Sequence, residues 1–397
     1  MSDHAVVAGV GMTPFVKVGH SDHYDVMGAE AGRRALADAG IEYADVQVGY
    51  ASYVLGDSTS GQRAFYRLGL TGIPIFNVNN NCSSGSSALY LARQAVETGV
   101  ADVVLAVGFE QMPAKGAGVW FSDRPPALEP YFAAVAESLG IPDDRSAGSA
   151  VLFGAAGRRY CEKYDVDPKL YAHISVKSRR HAAANPNAVF RDPLTLEQVL
   201  ESPRIWGELT RLECCPPTSG AAAAVIVSQE YAKRRGLRSD VVIAGQAMTT
   251  DLPGVFDGDM IKLVGYDMAA KAAHAVYEQT GVGPEDVRVV ELHDCFAPNE
   301  IISYEALGLT PEGTAEKFIL DGDNTYGGRV VTNPSGGLIS KGHPLGATGL
   351  AQCAELTWQL RGEAGGRQVD GPLTHALQHN LGLGGACVVT MYQKAEA

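Results

Sequence analysis

Residues 79–88 read NNNCSSGSSA, and this stretch decides how the rest of the chain is interpreted. The β-like run IFNV precedes it at 75–78, and LYLARQAV follows it at 89–96 with apolar residues at helical spacing. The order predicts a strand, a sharp polar turn and a buried helix. Cys82 stands where the turn becomes the helix, a point at which free backbone N–H groups and the helix dipole favour a thiolate. We interpret Cys82 as a candidate nucleophile; the alternative is a small buried cysteine that packs as a hydrophobe.

Composition excludes several classes of function. The chain has 397 residues, more than one core usually holds, so two compact halves are expected. A net charge of −13 argues against a nucleic-acid binder, and no apolar run approaches membrane-spanning length. The seven cysteines show neither a CxxC pair nor Cys/His metal spacing, which predicts a reduced protein without a metal. Residues 1–4 resemble no signal peptide and residues 394–397 no peroxisomal address, so a cytoplasmic protein is expected.

Strand-like and helix-like segments alternate along the chain, which predicts a parallel-rich α/β sheet with both faces covered. The strand-like runs lie at 5–11, 46–54, 102–108, 221–227, 240–245, 288–292, 374–377 and 386–391. The helix-like runs outside the central region lie at 24–39, 268–281, 298–307 and 346–361. The Gly/Ser-rich region 56–72 is expected to be a long loop.

The central region, residues 112–218, has a different texture and is too long for a loop, so it predicts a subdomain or lid. Helices are expected at 146–164 and 168–184. The second of these carries a basic cluster around Lys177 and Arg179, in a chain that is acidic overall. The cluster is either a phosphate-binding rim or a solvated helix face.

The element order of the first half recurs in the second, which indicates a duplicated α/β unit with a lid inserted in the first copy. The predicted boundaries are an N-terminal half at 1–112, a covering domain at 113–219, the last strand of the N-terminal half at 220–236, and a C-terminal half at 237–397.

Two further turns carry residues suited to chemistry: ELHDCFAPNE at 291–300 and KGHPLGATG at 341–349. Ligands of parallel α/β sheets bind where such turns converge beyond the carboxyl ends of strands. A cysteine with one histidine as base and another as hydrogen-bond donor is the set of groups that acyl transfer needs, and His293 and His343 supply the pair. The alternative is that each histidine is structural. The glycines of HNLGLGG, 379–385, could direct N–H groups at a thioester oxygen.

Together, the motifs NNNCSSGSSAL, HDCF, GHPLGATG and HNLGLGGA resemble those of thiolases, and most of all the sterol-carrier-protein (lipid-transfer) type. The resemblance covers nearly the whole chain. It implies the five-layered αβαβα thiolase fold with a covering loop domain. It also implies acyl-CoA and CoA as substrates, no metal or redox cofactor, and a homodimer or dimer of dimers. The sterol-carrier domain of the animal members is not in the sequence, so lipid transfer is not expected.

Carried over by motif, Cys82 resembles the acylated nucleophile and His343 the base that deprotonates it. His293, with His343, resembles the first oxyanion hole, and the backbone N–H groups of Cys82 and Gly382 resemble the second. Asn380 stands where most thiolases place a second cysteine, so the acid/base thiol implied here is Cys295.

Candidates for binding CoA complete the set of site residues; they are Lys177, Arg179, Arg180 and Ser219. The expected reaction is thiolytic cleavage of a 3-oxoacyl-CoA, or its reversal, in fatty-acid, branched-chain or steroid side-chain degradation. One alternative is a decarboxylating condensing enzyme, which would release CO₂ from a malonyl thioester. Another is a non-catalytic subunit working with other lipid-degradation enzymes, although the intact Cys82 and histidines argue against it.

Overall fold

A computed structural model of the protein describes residues 4–113, 123–143 and 145–395. The expectations about terminal targeting signals fall partly on residues 1–3 and 396–397, outside the described residues. None of the helices in the described part of the chain combines the length and apolarity that crossing a bilayer requires.

Strands in the described ranges are β1 Val6–Met12, β2 Val16–Lys17, β3 Val48–Ser52, β4 Ile75–Val78, β5 Val103–Glu110, β6 Arg204–Trp206, β7 Leu209–Thr210, β8 Thr218–Val227, β9 Val241–Thr249, β10 Val289–Glu291, β11 Val331–Thr332, β12 His375–Gly382 and β13 Ala386–Lys394. Helices are α1 Tyr24–Ala39, α2 Ser60–Tyr66, α3 Ser84–Glu97, α4 Glu129–Leu139, α5 Ser149–Tyr164, α6 Leu170–Ala182, α7 Leu196–Leu200, α8 Gln229–Arg235, α9 Met260–Leu263, α10 Tyr266–Thr280, α11 Ala297–Ala306, α12 Ala315–Leu320, α13 Gly337–Ser340 and α14 Thr348–Arg361.

The sheet confirms the duplicated element order. One half of the sheet runs β1-β8-β5-β3-β4 and the other β9-β13-β12-β10-β11, and β1 joins β9 between them. In each half the first three strands of that order are antiparallel and the last two pair in parallel with their neighbours. The expectation of a parallel-rich sheet is therefore wrong at the centre. The cause is visible in the second half, where β12 and β13 form a hairpin, and a short connection permits only antiparallel strands.

The central region lies between two neighbouring strands of the first half. β5 and β8 are antiparallel, with Glu110 opposite Gly220 at the end of their pairing. The corresponding strands of the second half, β12 and β13, are joined by a short turn, so residues 111–217 stand where the second copy has that turn. The helices predicted in this region are confirmed as α5 and α6.

The expectation of a long loop at 56–72 is wrong, because α2 lies within it. Its Phe65 is fully buried, and Gly61 is required by packing: a Cβ there would stand 2.3 Å from the side-chain oxygen of Asn77. Gly61 is therefore required by the close packing of α2 onto the sheet.

Two helices, α3 and α14, pack against each other between strands of both halves. Their small residues permit the close approach, since a Cβ on Gly85 would lie 2.9 Å from the backbone nitrogen of Gly349. Ala88 and Leu89 of α3 share one apolar cluster with Leu350 of α14. This packing brings the N-termini of the two helices together and, with them, the turns that carry Cys82 and His343.

Candidate active site

The turn before α3 has the predicted form. β4 ends at Val78, Asn81 takes a left-handed φ of 51°, and α3 begins at Ser84. The Ser84 hydroxyl donates to the Asn81 carbonyl oxygen at 2.6 Å. The polar run therefore ties the turn to itself and leaves Cys82 at the entrance of the helix.

Cys82, His293 and His343 come together although they are far apart in the sequence. The Cys82 Sγ and one ring nitrogen of each histidine lie within 4.8 Å of one another. The two imidazoles are 5.0 Å apart between centroids and cross at 81°. The first half thus supplies the nucleophile, and the second half supplies both histidines.

His343 presents a free lone pair. Its Nδ1 lies 2.7 Å from the Thr348 hydroxyl, which donates its own hydrogen to the Pro344 carbonyl oxygen at 3.0 Å. The hydroxyl must therefore accept from Nδ1, so Nε2 of the neutral ring has no hydrogen. That Nε2 is buried without a hydrogen-bond partner in the described structure. It is placed to accept a proton.

His293 has the opposite tautomer. The Asn380 amide nitrogen donates to the Cys82 carbonyl oxygen at 3.2 Å, and the same nitrogen lies 3.0 Å from Nδ1 of His293. Because an amide nitrogen only donates, Nδ1 accepts and Nε2 of the neutral ring carries the hydrogen. Asn380, at the position where most thiolases have a second cysteine, here fixes His293 as a hydrogen-bond donor.

Burial keeps the resting site uncharged. Burial, and to a lesser degree the charge of Glu110, raise the pKa of Cys82 to about 12. Burial lowers the pKa of His343 to about 3. The expectation of a resting thiolate at the helix terminus is therefore wrong, because desolvation outweighs the helix dipole.

Gly382 lies beside the nucleophile, but within β12 and not in a glycine turn as expected. A Cβ on Gly382 would come within 2.2 Å of the Asn80 carbonyl oxygen, so only glycine allows this strand to approach the Cys82 turn. The Asn81 amide donates to the Leu383 carbonyl oxygen at 3.0 Å and holds the two segments together. The oxyanion-hole role of Gly382 stays a prediction.

Cys295 is buried on the turn between β10 and α11, and burial raises its pKa well above the ordinary value. Sequence reasoning left Cys214 and Cys215 without a role, yet the Cys215 N–H donates to the Cys295 carbonyl oxygen at 2.8 Å. The vicinal cysteine pair stands out in the sequence, but nothing in it indicates this contact with a distant turn.

Sequence reasoning also missed Glu110 and Thr218. Glu110 is buried beside the site and accepts the backbone N–H groups of Val54, Leu55 and Gly346 at 2.8–3.1 Å. Thr218 accepts the backbone N–H of His343 at 2.7 Å. Neither lies in a recognisable motif, so nothing in the sequence distinguished them.

The four candidates for CoA binding do not form one surface. Lys177 is buried in an ion pair with Glu300, and Ser219 is buried and accepts the Met112 N–H at 3.1 Å. Arg179 is largely buried over the Phe190 ring. Only Arg180 is exposed; it donates to Thr325 at 3.0 Å. Both interpretations of Lys177, as a phosphate ligand on a rim and as part of a solvated face, are therefore wrong.

Metal-ligating side chains gather in one place within the described residues, at Cys82, His293 and His343. The hydrogen bonds argue against a metal there. His293 uses Nδ1 to accept from Asn380 and carries a hydrogen on Nε2, so it offers no lone pair. These proton positions suit acyl transfer.

Comparisons with known proteins agree with this arrangement. Residues 5–230 match "Thiolase, N-terminal domain", and residues 258–392 match "Thiolase C-terminal domain-like". Sterol carrier protein 2 of Rattus norvegicus is 52% identical over 392 residues, which are 98% of this chain and 71% of that protein. Benzoylsuccinyl-CoA thiolase subunit BbsB of Thauera aromatica is 35% identical over 95% of this chain and 94% of that subunit.

Two solved structures are similar over nearly the whole chain. A chain of the Ltp2-ChsH2(DUF35) aldolase aligns with a TM-score of 0.82 at 27% identity, covering 98% of each chain. Human mitochondrial 3-ketoacyl-CoA thiolase in complex with CoA aligns with a TM-score of 0.75 at 18% identity, covering 99% of this chain and 98% of that one, and this second match concerns the fold alone. Since both family domains match and together span most of the sequence, the protein belongs to the thiolase family of acyltransferases.

Proposed function

We propose that this chain cleaves a 3-oxoacyl-CoA with CoA through an acyl-enzyme on Cys82, or runs the reverse condensation. One observation carries the proposal. His343 offers a lone pair and His293 offers an N–H, and both histidines stand within 4.8 Å of the same thiol. Acyl transfer requires a general base and a hydrogen-bond donor beside one nucleophile.

The first half-reaction acylates the enzyme. Cys82 Sγ attacks the 3-keto carbon while its proton moves to Nε2 of His343. The bond between C2 and C3 then breaks, and its electron pair becomes the enolate of the departing acyl-CoA. The Nε2–H groups of His293 and His343 bind the enolate oxygen, and the Cys295 thiol protonates its carbon.

The second half-reaction returns the acyl group to CoA. The incoming CoA thiol gives its proton to the Cys295 thiolate and attacks the thioester on Cys82. The backbone N–H groups of Cys82 and Gly382 bind the oxyanion of this step. Cys82 leaves and regains its proton from His343. CoA is thus a substrate, and no metal or redox cofactor takes part.

We also propose that the chain forms a homodimer or a dimer of dimers through the edge of β4. Among the described strands β4 pairs with β3 and stands at the end of the sheet, so its other edge has no strand partner within the described residues. Phe76 on β4 is 51% exposed and Leu70 nearby in sequence is 80% exposed. An open apolar edge strand is a ready template for pairing with a second copy. Because β4 leads directly into the Cys82 turn, dimer formation would support the nucleophile.

We also propose that the chain works with a partner subunit of a different kind. BbsB is named as a subunit, and the Ltp2 structure is of a complex with ChsH2(DUF35). Work alongside other lipid-degradation enzymes therefore stays part of the proposal, as does the cytoplasmic location expected from the sequence.

The word aldolase in the name of the Ltp2 complex favours a second candidate, retro-aldol cleavage of a 3-hydroxyacyl-CoA. The two reactions differ in their need for free CoA. Thiolysis consumes one CoA for each cleavage, whereas retro-aldol cleavage consumes none.

The deciding experiment incubates the protein with linear, α-methyl-branched and steroid 3-oxoacyl-CoA substrates, with and without CoA. We expect CoA-dependent cleavage, a covalent acyl group on Cys82 by peptide mass spectrometry, and neither signal in Cys82→Ala, which removes little packing volume. Cleavage without CoA, or an acyl group on Cys295, would contradict the proposal. Release of CO₂ from a malonyl thioester would favour the decarboxylating alternative.

A further inference from the structure

Two thiols lie opposite each other at the active site. Cys214 and Phe296 form an antiparallel bridge, and the Cys215 N–H donates to the Cys295 carbonyl oxygen at 2.8 Å. In antiparallel pairing, the next residue of one strand faces the preceding residue of the other, so Cys215 stands directly across from Cys295. Side chains of such a pair lie on the same face, with Cβ atoms about 4.5–5.5 Å apart.

The two faces of this short pairing have different surroundings. On one face Cys214 donates from Sγ to the Thr210 carbonyl oxygen at 3.3 Å, and Phe296 stacks on Phe153 at 4.9 Å. That face packs against α5, which belongs to the segment inserted between β5 and β8. The other face carries Cys215 and Cys295.

The thiol-bearing face looks toward the nucleophile. Cys295 is two residues from His293, a ring nitrogen of which lies within 4.8 Å of the Cys82 sulfur, and a charge on Cys82 would raise the pKa of both Cys295 and Cys215. The neighbouring residues Cys214 and Cys215 thus have different surroundings. Cys214 is hydrogen-bonded to a carbonyl oxygen, whereas Cys215 lies at the active site.

Once Cys295 has lost its proton, its thiolate needs a hydrogen-bond donor. As a thiolate it would be fully buried, which is unfavourable. The titratable groups that face it are Cys215, Cys82 and Asp294, and negative charge on any of them opposes ionisation. The Phe296 backbone N–H, by contrast, lowers the pKa of Cys295 and so favours its thiolate. Burial keeps Cys215 protonated, so its S–H is available.

We propose that Cys215 is a positioning residue for the acid/base thiol, donating its S–H to the Cys295 thiolate that remains once Cys295 has protonated the enolate. This inference rests on the proposed thiolase function. In the step, the Cys295 S–H bond breaks and a C–H bond forms at the α-carbon, and the electron pair of the broken bond stays on sulfur. Cys215 shares its hydrogen without losing it. In the reverse direction the stabilised Cys295 thiolate removes the α-proton.

The test measures exchange of the α-protons of acetyl-CoA into deuterated water between about pH 6 and 10, the range that brackets an ordinary thiol pKa. We expect Cys215→Ala to shift the pH profile of exchange upward by about one unit and to slow exchange about tenfold near neutral pH. Cys215→Ser keeps a donor and should restore most of the rate. Cys214→Ala, the neighbouring control, should match the wild-type profile.

A second measurement distinguishes the proposed thiolase function from the proposed role of Cys215. It follows acylation of Cys82 by a short acyl-CoA, using intact-protein mass spectrometry. Acylation should be normal in all three variants, because that step does not use Cys295. A wild-type protein that is never acylated would overturn the proposed function and this inference together. An unshifted exchange profile in Cys215→Ala, or a serine variant no better than alanine, would overturn this inference alone. Loss of acylation along with exchange in Cys215→Ala would also overturn it, since the residue would then serve the packing of the whole site.

Discussion

Replacing Lys177 by methionine tests how much the buried ion pair between Lys177 and Glu300 stabilises the protein. The Lys177 side chain is 4% exposed and its ion-pair partner Glu300 is fully buried. Nζ also donates to the Thr332 hydroxyl at 2.7 Å and to the Tyr304 hydroxyl at 3.2 Å. Methionine keeps the length of the side chain but leaves the carboxylate of Glu300 without its cation.

Removing one partner of a buried ion pair costs about 3–5 kcal/mol of unfolding free energy. With a urea dependence near 3 kcal/mol per M, the unfolding midpoint should fall by about 1–2 M. The assay is urea unfolding followed by tryptophan fluorescence, alongside the KM for CoA. Arg180→Met on the same helix is the matched control, because an exposed substitution changes stability by no more than about 0.5 kcal/mol.

The double variant Lys177→Met/Glu300→Leu checks the cause. Since it removes both charges, it should recover much of the lost midpoint. The reasoning is refuted if Lys177→Met unfolds like the wild type and raises the KM for CoA. That result would make Lys177 an accessible phosphate ligand.

Three further predictions follow from the site and its edge. His343→Asn removes the base and should slow acylation of Cys82 by about 10²–10⁴ in single-turnover measurements; an unchanged rate would give His343 another role. Burial raises the pKa of Glu110 and of Glu213 to about 7 from 4.5. The folded protein holds these protons more tightly than the unfolded chain, so stability should fall as pH rises from about 4.5 to 7. Glu110→Gln should flatten that fall in a pH series of thermal midpoints, and an equally steep fall would count against it. If the proposed dimer forms through β4, light scattering should show Phe76→Glu as a monomer, whereas Leu320→Glu, at a 57% exposed position elsewhere, should leave the oligomeric state unchanged.

Local signals explain what could be predicted from the sequence. The helix-like run 24–39 is confirmed as α1, and Gly40 directly after it adopts the left-handed φ of 70° that a helix-terminating glycine supplies. The Cys82 turn was predicted for the same reason, because its strand, polar run and helix are consecutive. The convergence of Cys82 with His343 was predicted from the rule that turns meet beyond the carboxyl ends of sheet strands and from the resemblance, not from local pattern alone.

Long-range contacts explain what could not be predicted. Lys177 appeared to be a surface charge because its partner Glu300 lies on another helix, α11, far along the chain. Cys215 acquired a role only from its pairing with the turn before α11. The protonation of Cys82 depends on burial, which the helix-dipole argument does not contain. In each case the property belongs to a pair of segments, and sequence patterns describe one segment at a time.

Residues 111–217 are inserted between β5 and β8. This placement allows the inserted segment and the catalytic turns to change at different rates during evolution. Both ends of the segment are held by neighbouring antiparallel strands, as the ends of a hairpin turn are. Insertions and deletions at exposed positions of this segment, such as the turn between β6 and β7, leave the anchor points and the catalytic turns where they were. A lineage of such chains can therefore alter the outline of the cover while inheriting the catalytic turns unchanged. Positions of the segment that contact the histidine-bearing turns should vary as slowly as those turns do. Cys215 donates its N–H to the Cys295 carbonyl oxygen and Val189 donates its N–H to the Lys341 carbonyl oxygen, while Thr218, just beyond the segment, accepts the His343 N–H.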